Sequence, residues 1–166
     1  MGKSPPPPAA TAKRSTESRI RPEFWKHYRL PDLSRAEWEA LCDGCAKCCL
    51  IKLEDEDTGA LAYTDIACRL LDHDSCRCGN YPLRTRLVPG CVVLGRRNLD
   101  AVLEWMPGTC AYRLMRDGRP LPDWHPLVSG DPDSVHRAGI SLRGRMVAEY
   151  EVDEEDWQDH ILEDLP

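Results

Sequence analysis

A chain of 166 residues is long enough to bury one ordinary core, but with a single Phe, fourteen Pro and a mean hydropathy of −0.51 its apolar side chains are too sparse for a large one. The formal charge of −6 disfavours nucleic acid as a partner, because phosphate binding needs a positive face. No stretch approaches the length of a bilayer span, and Met1 to Ser18 lacks the apolar run of an export signal, so a membrane partner is not expected and a reducing cytoplasm is.

In that compartment nine cysteines read as metal ligands more readily than as disulfides, and their odd number would leave one thiol over from a full disulfide set. Thiolate–metal bonds would then supply the folding free energy that sparse apolar burial cannot. The expected fold is a small, irregular α+β domain organised around a cysteine and metal cluster, with mostly short helices and one or two short hairpins.

Residues 1–19 are rich in Pro, Ala and Ser and read as a disordered leader, leaving 20–166 as a single cysteine-cluster domain with an acidic C-terminal helix. Ser34-Arg35-Ala36-Glu37 is a capping box, so a helix should start at Arg35. Trp38, Leu41, Cys42 and Cys45 follow at helical spacing and would carry one face of it into the run Cys42-Asp43-Gly44-Cys45-Ala46-Lys47-Cys48-Cys49, with Gly44 as an interruption. Adjacent cysteines are not expected to point the same way, on a helix or in a loop, so Cys48 and Cys49 are expected to serve different metals or different edges of one multinuclear cluster.

Leu50 to Leu53 and Ala60 to Tyr63 flank Asp57-Thr58-Gly59 and read as a hairpin whose second arm returns Cys68 to the first cluster. A polar loop then holds Cys76 and Cys78, and Pro82, Pro89 and Gly90 keep the chain irregular up to Cys91. Asn98 caps a helix that Pro107-Gly108 stops, and a second short helix runs from Cys110 to Arg116. Between Leu61 and Arg119 nine Arg stand against six acids; these are read as a solvated face with partners inside the fold. Ser129-Gly130-Asp131-Pro132 is a turn, Arg145 to Val152 alternates as a strand, and Asp153 to Leu162 reads as an amphipathic helix.

The run Cys42 to Cys49, Cys68-Arg69-Leu70-Leu71, Cys78 with Tyr81 and Arg84, Pro89-Gly90-Cys91 and Cys110-Ala111-Tyr112-Arg113 resemble the CxxCxxCC cysteine-cluster proteins, often called the YkgJ family. Cys68 to Asn80 and Trp124 to Pro132, continuing into Ser134 to Ser141, are similar to the bacterial YcgN-type branch. In the wider family Tyr stands two residues after the cysteine, whereas Cys78 and Tyr81 are three apart. The resemblance implies a zinc- or iron-chelating domain, and the wider family includes a flagellin lysine methylase whose cysteines look like iron–sulfur ligands.

Thiolates favour soft or borderline ions, so the candidate ligands are Cys42, Cys45, Cys48, Cys49, Cys68, Cys76, Cys78, Cys91 and Cys110, for zinc, iron or an iron–sulfur cluster. The run fits neither ferredoxin spacing nor the paired knuckles of a zinc ribbon. His73, His125 and His136 are weaker candidates, and no catalytic residue or protein partner is assigned. Three functional classes remain open: a metal-binding module, an iron–sulfur enzyme by analogy with the methylase, and an adaptor with structural zinc.

Overall fold

A computed structural model describes residues 19–165 and shows the expected α+β architecture of short helices and small sheets. The expected leader lies outside the described residues except for Arg19. The described residues open with helix α1 (Phe24–His27), a 3-10 turn at Leu30–Asp32 and helix α2 (Arg35–Ala40). At α2 the capping box forms as expected: Ser34 Oγ accepts from Glu37 N at 3.2 Å, and Glu37 Oε2 accepts from Ser34 N at 2.8 Å. Glu37 is fully buried because Arg21 closes over it, donating from Nε at 2.7 Å and from Nη2 at 2.6 Å.

Helix α2 does not carry on into the cysteine run. It stops at Ala40 with Leu41 as C-cap, and Gly44 takes a φ of 79° that no right-handed helix contains. The thiols therefore sit on a folded loop and not on a helical face.

Strands β1 (Leu50–Glu54) and β2 (Leu61–Ala67) pair antiparallel as the expected hairpin, with Lys52 opposite Tyr63 and Leu50 opposite Ala67. Asp55 organises the turn: its carbonyl accepts from Gly59 N and its carboxylate from Thr58 N, both at 2.8 Å. A two-residue strand β5 (Val147–Ala148) adds parallel to β2, giving the order β1-β2-β5. It is all that forms of the strand expected over Arg145 to Val152, because the chain turns into a 3-10 segment at Glu149–Glu151. The acidic tail is likewise a 3-10 helix, Glu154–His160. Its end is tied to β2 by Leu162 N on Tyr63 O at 2.8 Å and by His160 Nδ1 against Asp65 at 2.7 Å.

A second hairpin, β3 (Leu71–Asp72) and β4 (Arg77–Cys78), replaces the expected polar loop. Five short helices complete the chain: α3 (Arg84–Leu87), α4 (Leu99–Leu103), α5 (Ala111–Arg116), α6 (Pro126–Ser129) and α7 (Ser134–Arg137). Helix α4 begins at Asn98, but that side chain accepts from Gly95 N in the preceding turn instead of from the helix.

Apolar burial divides into two clusters. The larger joins Phe24, Trp38 and Leu41 to Leu103, Tyr112 and Leu114, with the Tyr112 hydroxyl donating to Trp38 O at 2.7 Å. The smaller holds Ala46, Leu50, Ala67, Leu71, Cys76 and Leu142. The cysteine run lies between them, leaving Leu41 in the first cluster and entering the second at Ala46. Four central arginines fasten the irregular segments, as Arg69 bonds Leu87 O, Arg84 stacks on Tyr81, Arg96 bonds Leu33 O and Arg113 bonds Met106 O.

Candidate metal centre

After Leu41 the loop is set by three local devices. Asp43 Oδ1 accepts from Cys45 N at 2.9 Å, Gly44 supplies a left-handed turn, and Ala46 takes a second one at a φ of 68°. A 3-10 turn at Lys47–Cys49 follows, with Cys49 N on Ala46 O at 2.9 Å. This turn brings the sulfurs of Cys48 and Cys49 to 3.9 Å. The expectation that adjacent thiols cannot point the same way, on a helix or in a loop, is thus corrected: the tight turn rotates both side chains to one side.

The hairpin returns the backbone of Cys68 to the run, where Cys68 N donates to Cys49 O at 2.9 Å, while the thiols acting on its side chain are Cys91 and Cys78. Cys78 lies on β4, held to Leu71, and Arg77 beside it lays its guanidinium against the Gly44 turn. A Cβ on Gly44 would meet Arg77 Cζ at 3.2 Å, so the bare glycine lets the second hairpin approach the run. Cys91 follows the Pro89–Gly90 turn, with its N on Val88 O, and Cys110 is the residue before α5. All nine cysteines are free thiols.

Electrostatics show which thiols share one environment. Cys48, part of which faces solvent, is raised well above the ordinary thiol range, first by its contact with Cys49 and then by the protein packed around its sulfur. Burial also pushes Cys42 up to about 11 and Cys110 up to about 12, and the charges of Cys48 and Asp43 push both the same way. Part of Cys42 faces solvent, yet the protein packed around its sulfur side disfavours the thiolate. Cys45 is raised by burial, then by Asp43, Cys48 and Cys42; Cys91 by burial, with Cys78 and Cys48 adding to it; Cys68 by burial, with Cys91 and Cys78 adding. The thiols are thus linked as a chain of neighbours, from Cys68 through Cys78 and Cys91 to Cys48 and the rest of the run. Among the described residues no three Cys, His, Asp or Glu side chains stand within reach of a single ion position.

Cys76 stands apart. It is buried in the smaller apolar cluster at a φ of 54°, with its sulfur 3.9 Å from His73 O. Burial raises it, and the charges acting on it most are Arg143, Arg77 and Asp72, none of them a thiol.

Behind the run lies a polar layer that the spacing of cysteines did not disclose. Asp43 is buried, and its Oδ2 has no hydrogen-bond partner. Lys47 is fully buried with one long bond, from Nζ to Thr109 Oγ1 at 3.4 Å. Lys52 Nζ reaches the carbonyls of Leu50 at 2.8 Å and Cys48 at 3.2 Å, and lies about equally over the Tyr63 and Trp105 rings, 5.0 and 4.9 Å from their centroids.

His125, fully buried, is committed at both nitrogens. Its Nδ1 accepts from Leu127 N at 3.1 Å, so the proton sits on Nε2 and is donated to Leu41 O at 3.1 Å. It braces the residue before Cys42 and has no lone pair left for an ion. His136 Nδ1 bonds Ser141 Oγ at 2.7 Å. Ser129 and Ser134 bond each other at 2.8 Å within the expected turn. A cleft of about 290 Å³ lined by Cys68, Arg69, His73 and Tyr150 opens to solvent beside this region.

A loop-borne set of free thiols between two small apolar clusters is the make-up of a cysteine-cluster domain. Residues 41–111 match the CxxCxxCC family, described as a "Putative zinc- or iron-chelating domain". Similar proteins include the UPF0260 protein of Rhodobacter capsulatus, 61% identical over 148 residues that cover 89% of this chain and 99% of the relative. Others are the UPF0260 proteins of Marinobacter nauticus, 57% identical over 84% of this chain and 93% of its own, and of Parvibaculum lavamentivorans, 58% identical over 84% and 90%. The chain belongs to the UPF0260 family of CxxCxxCC proteins. No solved structure matches it. No helix among the described residues is long and apolar enough to cross a membrane.

Proposed function

We propose that the protein is a metal-binding module that holds zinc or iron through the thiolates of Cys42, Cys45, Cys48 and Cys49 together with Cys68, Cys78, Cys91 and Cys110, in a reducing compartment that keeps them free. The observation that carries this is the placing of four thiols on one eight-residue loop whose last two sulfurs stand 3.9 Å apart, with Cys68 N bonded to Cys49 O beside it. The donor set fits a soft or borderline ion. With metal–sulfur bonds of about 2.3 Å, tetrahedral ligands stand roughly 3.8 Å apart, and the Cys48–Cys49 sulfurs already have that separation. Closing the other thiols onto an ion requires movement of the loops that carry them, all of which are short and irregular.

Cys76 belongs to packing in this reading. His125, with both nitrogens bonded, is excluded as a ligand in this conformation.

Iron as a cluster with sulfide is distinguished from zinc by colour. Iron–sulfur centres absorb visible light, whereas zinc, with a filled d shell, does not. The test is metal and sulfide analysis of protein prepared without exposure to air, followed by circular dichroism before and after a strong chelator. Stoichiometric metal, with loss of structure on its removal, is expected; a metal-free protein with an unchanged fold after chelation would overturn the reading.

A further inference from the structure

We infer that the protein associates with a second copy of itself through one face, on which the arginine-bearing segment 77–98 of each copy covers the acidic segment 149–164 of the other. The inference goes beyond metal binding and does not rest on it. Among the described residues, none from Arg77 to Asn98 is buried. The stretch is nonetheless apolar: Tyr81, Leu83, Leu87, Val92 and Val93 stand 42–45% exposed. Single exposed apolar residues are ordinary, but a run of them marks a surface that something covers.

Charge on the same stretch identifies the cover. It carries Arg77, Arg84, Arg86, Arg96 and Arg97 and no acid, in a chain of net charge −6. Glu39 reaches its edge, accepting from the Tyr81 hydroxyl at 2.9 Å, which leaves the arginines in excess. None of the five forms an ion pair with a carboxylate among the described residues. The complement stands on this chain: Glu149 to Asp164 holds nine acids and no Lys or Arg. Eight of these acids are exposed, and only Glu149 is ion-paired among the described residues. Arg69 joins the two segments, its Nη2 donating to Leu87 O at 2.9 Å while its Nε stands 3.5 Å from Glu149 Oε1. Basic and acidic surfaces therefore meet on one side of the molecule, where Tyr150, 76% exposed, lines the cleft of about 290 Å³. A face with one basic and one acidic half is complementary to its own copy turned by 180°, so that each contact forms twice. An interface of standard size takes about 20–30 residues a side, and the two segments together span more than that. An anionic membrane would accept the basic half and repel the acidic half beside it, which favours the second copy.

The test is the mass of the full chain in solution, as purified and kept reduced so that no intermolecular disulfide forms, read by light scattering. At about 0.1 M salt, where charges act over about 10 Å, the mass should be twice the 18.8 kDa of one chain. It should fall towards the single value at about 1 M, where that reach shrinks to about 3 Å. Two exposed pairs are then reversed in separate variants, Arg86→Glu with Arg97→Glu and Glu154→Arg with Glu155→Arg. Each variant alone sets like charges against each other and should have the mass of one chain. An equal mixture should regain the double mass, because both cross-contacts are again of opposite sign, and this recovery also shows that the variants are folded. A wild type of single mass at low salt overturns the proposal, and binding of that monomer to anionic lipid vesicles would give the face to a membrane instead. A dimer that neither variant weakens, or variants that stay single on mixing while their circular dichroism matches the wild type, overturns it as well. If either reversed pair does not fold, Arg86→Gln with Arg97→Gln decides: a loss of the double mass supports the proposal and an unchanged mass overturns it.

Discussion

Replacing Glu37 by Gln should remove one of the strongest fixed points of the fold without changing its shape. The carboxylate accepts four hydrogen bonds: from Arg21 N at 2.9 Å, Arg21 Nε at 2.7 Å, Arg21 Nη2 at 2.6 Å and Ser34 N at 2.8 Å. The Arg21 guanidinium bonds, working against the cost of burial, hold the group down at about 2 from an ordinary 4.5. At about 1.36 kcal/mol per unit that displacement corresponds to roughly 3 kcal/mol. The Arg21 side chain is 34% exposed, so solvent screens part of the pairing and a loss of about 2 kcal/mol is the expected size. The amide that replaces the carboxylate must also turn its NH2 toward donors at one end, which no rotation of the new side chain avoids.

Because the folded value is depressed, the stabilisation is complete above the unfolded value and is lost as pH falls through the folded one. The wild-type advantage over Glu37→Gln should be full at pH 7 and shrink between pH about 4.5 and 2. Urea unfolding of both proteins across that range reads it as a difference, and thiol protonation at low pH affects both alike. A gap below about 0.5 kcal/mol at pH 7, or one that does not change on acidification, would refute the reasoning.

Gly44→Ala places a Cβ at a φ of 79° and 3.2 Å from the Arg77 guanidinium, which must shift; left-handed strain should cost about 1–2 kcal/mol, and metal retention should fall as the loop that carries the thiols is strained, both readable by melting and metal content. Cys76→Ser should keep the metal stoichiometry of the wild type while losing stability, since its neighbours are apolar and not thiols; metal loss equal to that of Cys48→Ser would place it among the ligands.

The elements legible in the sequence were those whose cause is local. Ser34 and Glu37 form their box because both partners lie within one turn, and Asp55 to Gly59 close a hairpin with their own side chains. The helix whose face was read into the cysteine run, with Gly44 as its interruption, already ends at Ala40, because periodicity counts apolar positions but not φ: Leu41, Cys42 and Cys45 keep the spacing while Gly44 and Ala46 break the backbone. The divergence assigned to Cys48 and Cys49 failed because the 3-10 turn that aligns both side chains is not encoded in cysteine spacing. Strand β5 is two residues long because its pairing depends on Ile66 and Ala67, far earlier in the chain, and nothing near Val147 encodes that length. Lys47 is written like any surface lysine, and only the tertiary fold buries it. The cysteines gave the site's chemistry and address, but its electrostatic surround came from residues of no distinctive spacing.

The position of the run between two apolar clusters gives metal removal a directional consequence. The larger cluster has Phe24, Trp38, Leu103 and Tyr112 at its centre, plus the Glu37–Arg21 clasp, and one thiol, Cys110, packed at its margin. The smaller one has six buried members, one of them Cys76, and its strands are joined to the run directly at Cys49 and Cys68. Too little apolar area is buried there to offset the ordering of two hairpins by itself. Chelation should therefore release the sheet side first and leave the helical side folded, so the structure lost in circular dichroism should be chiefly β.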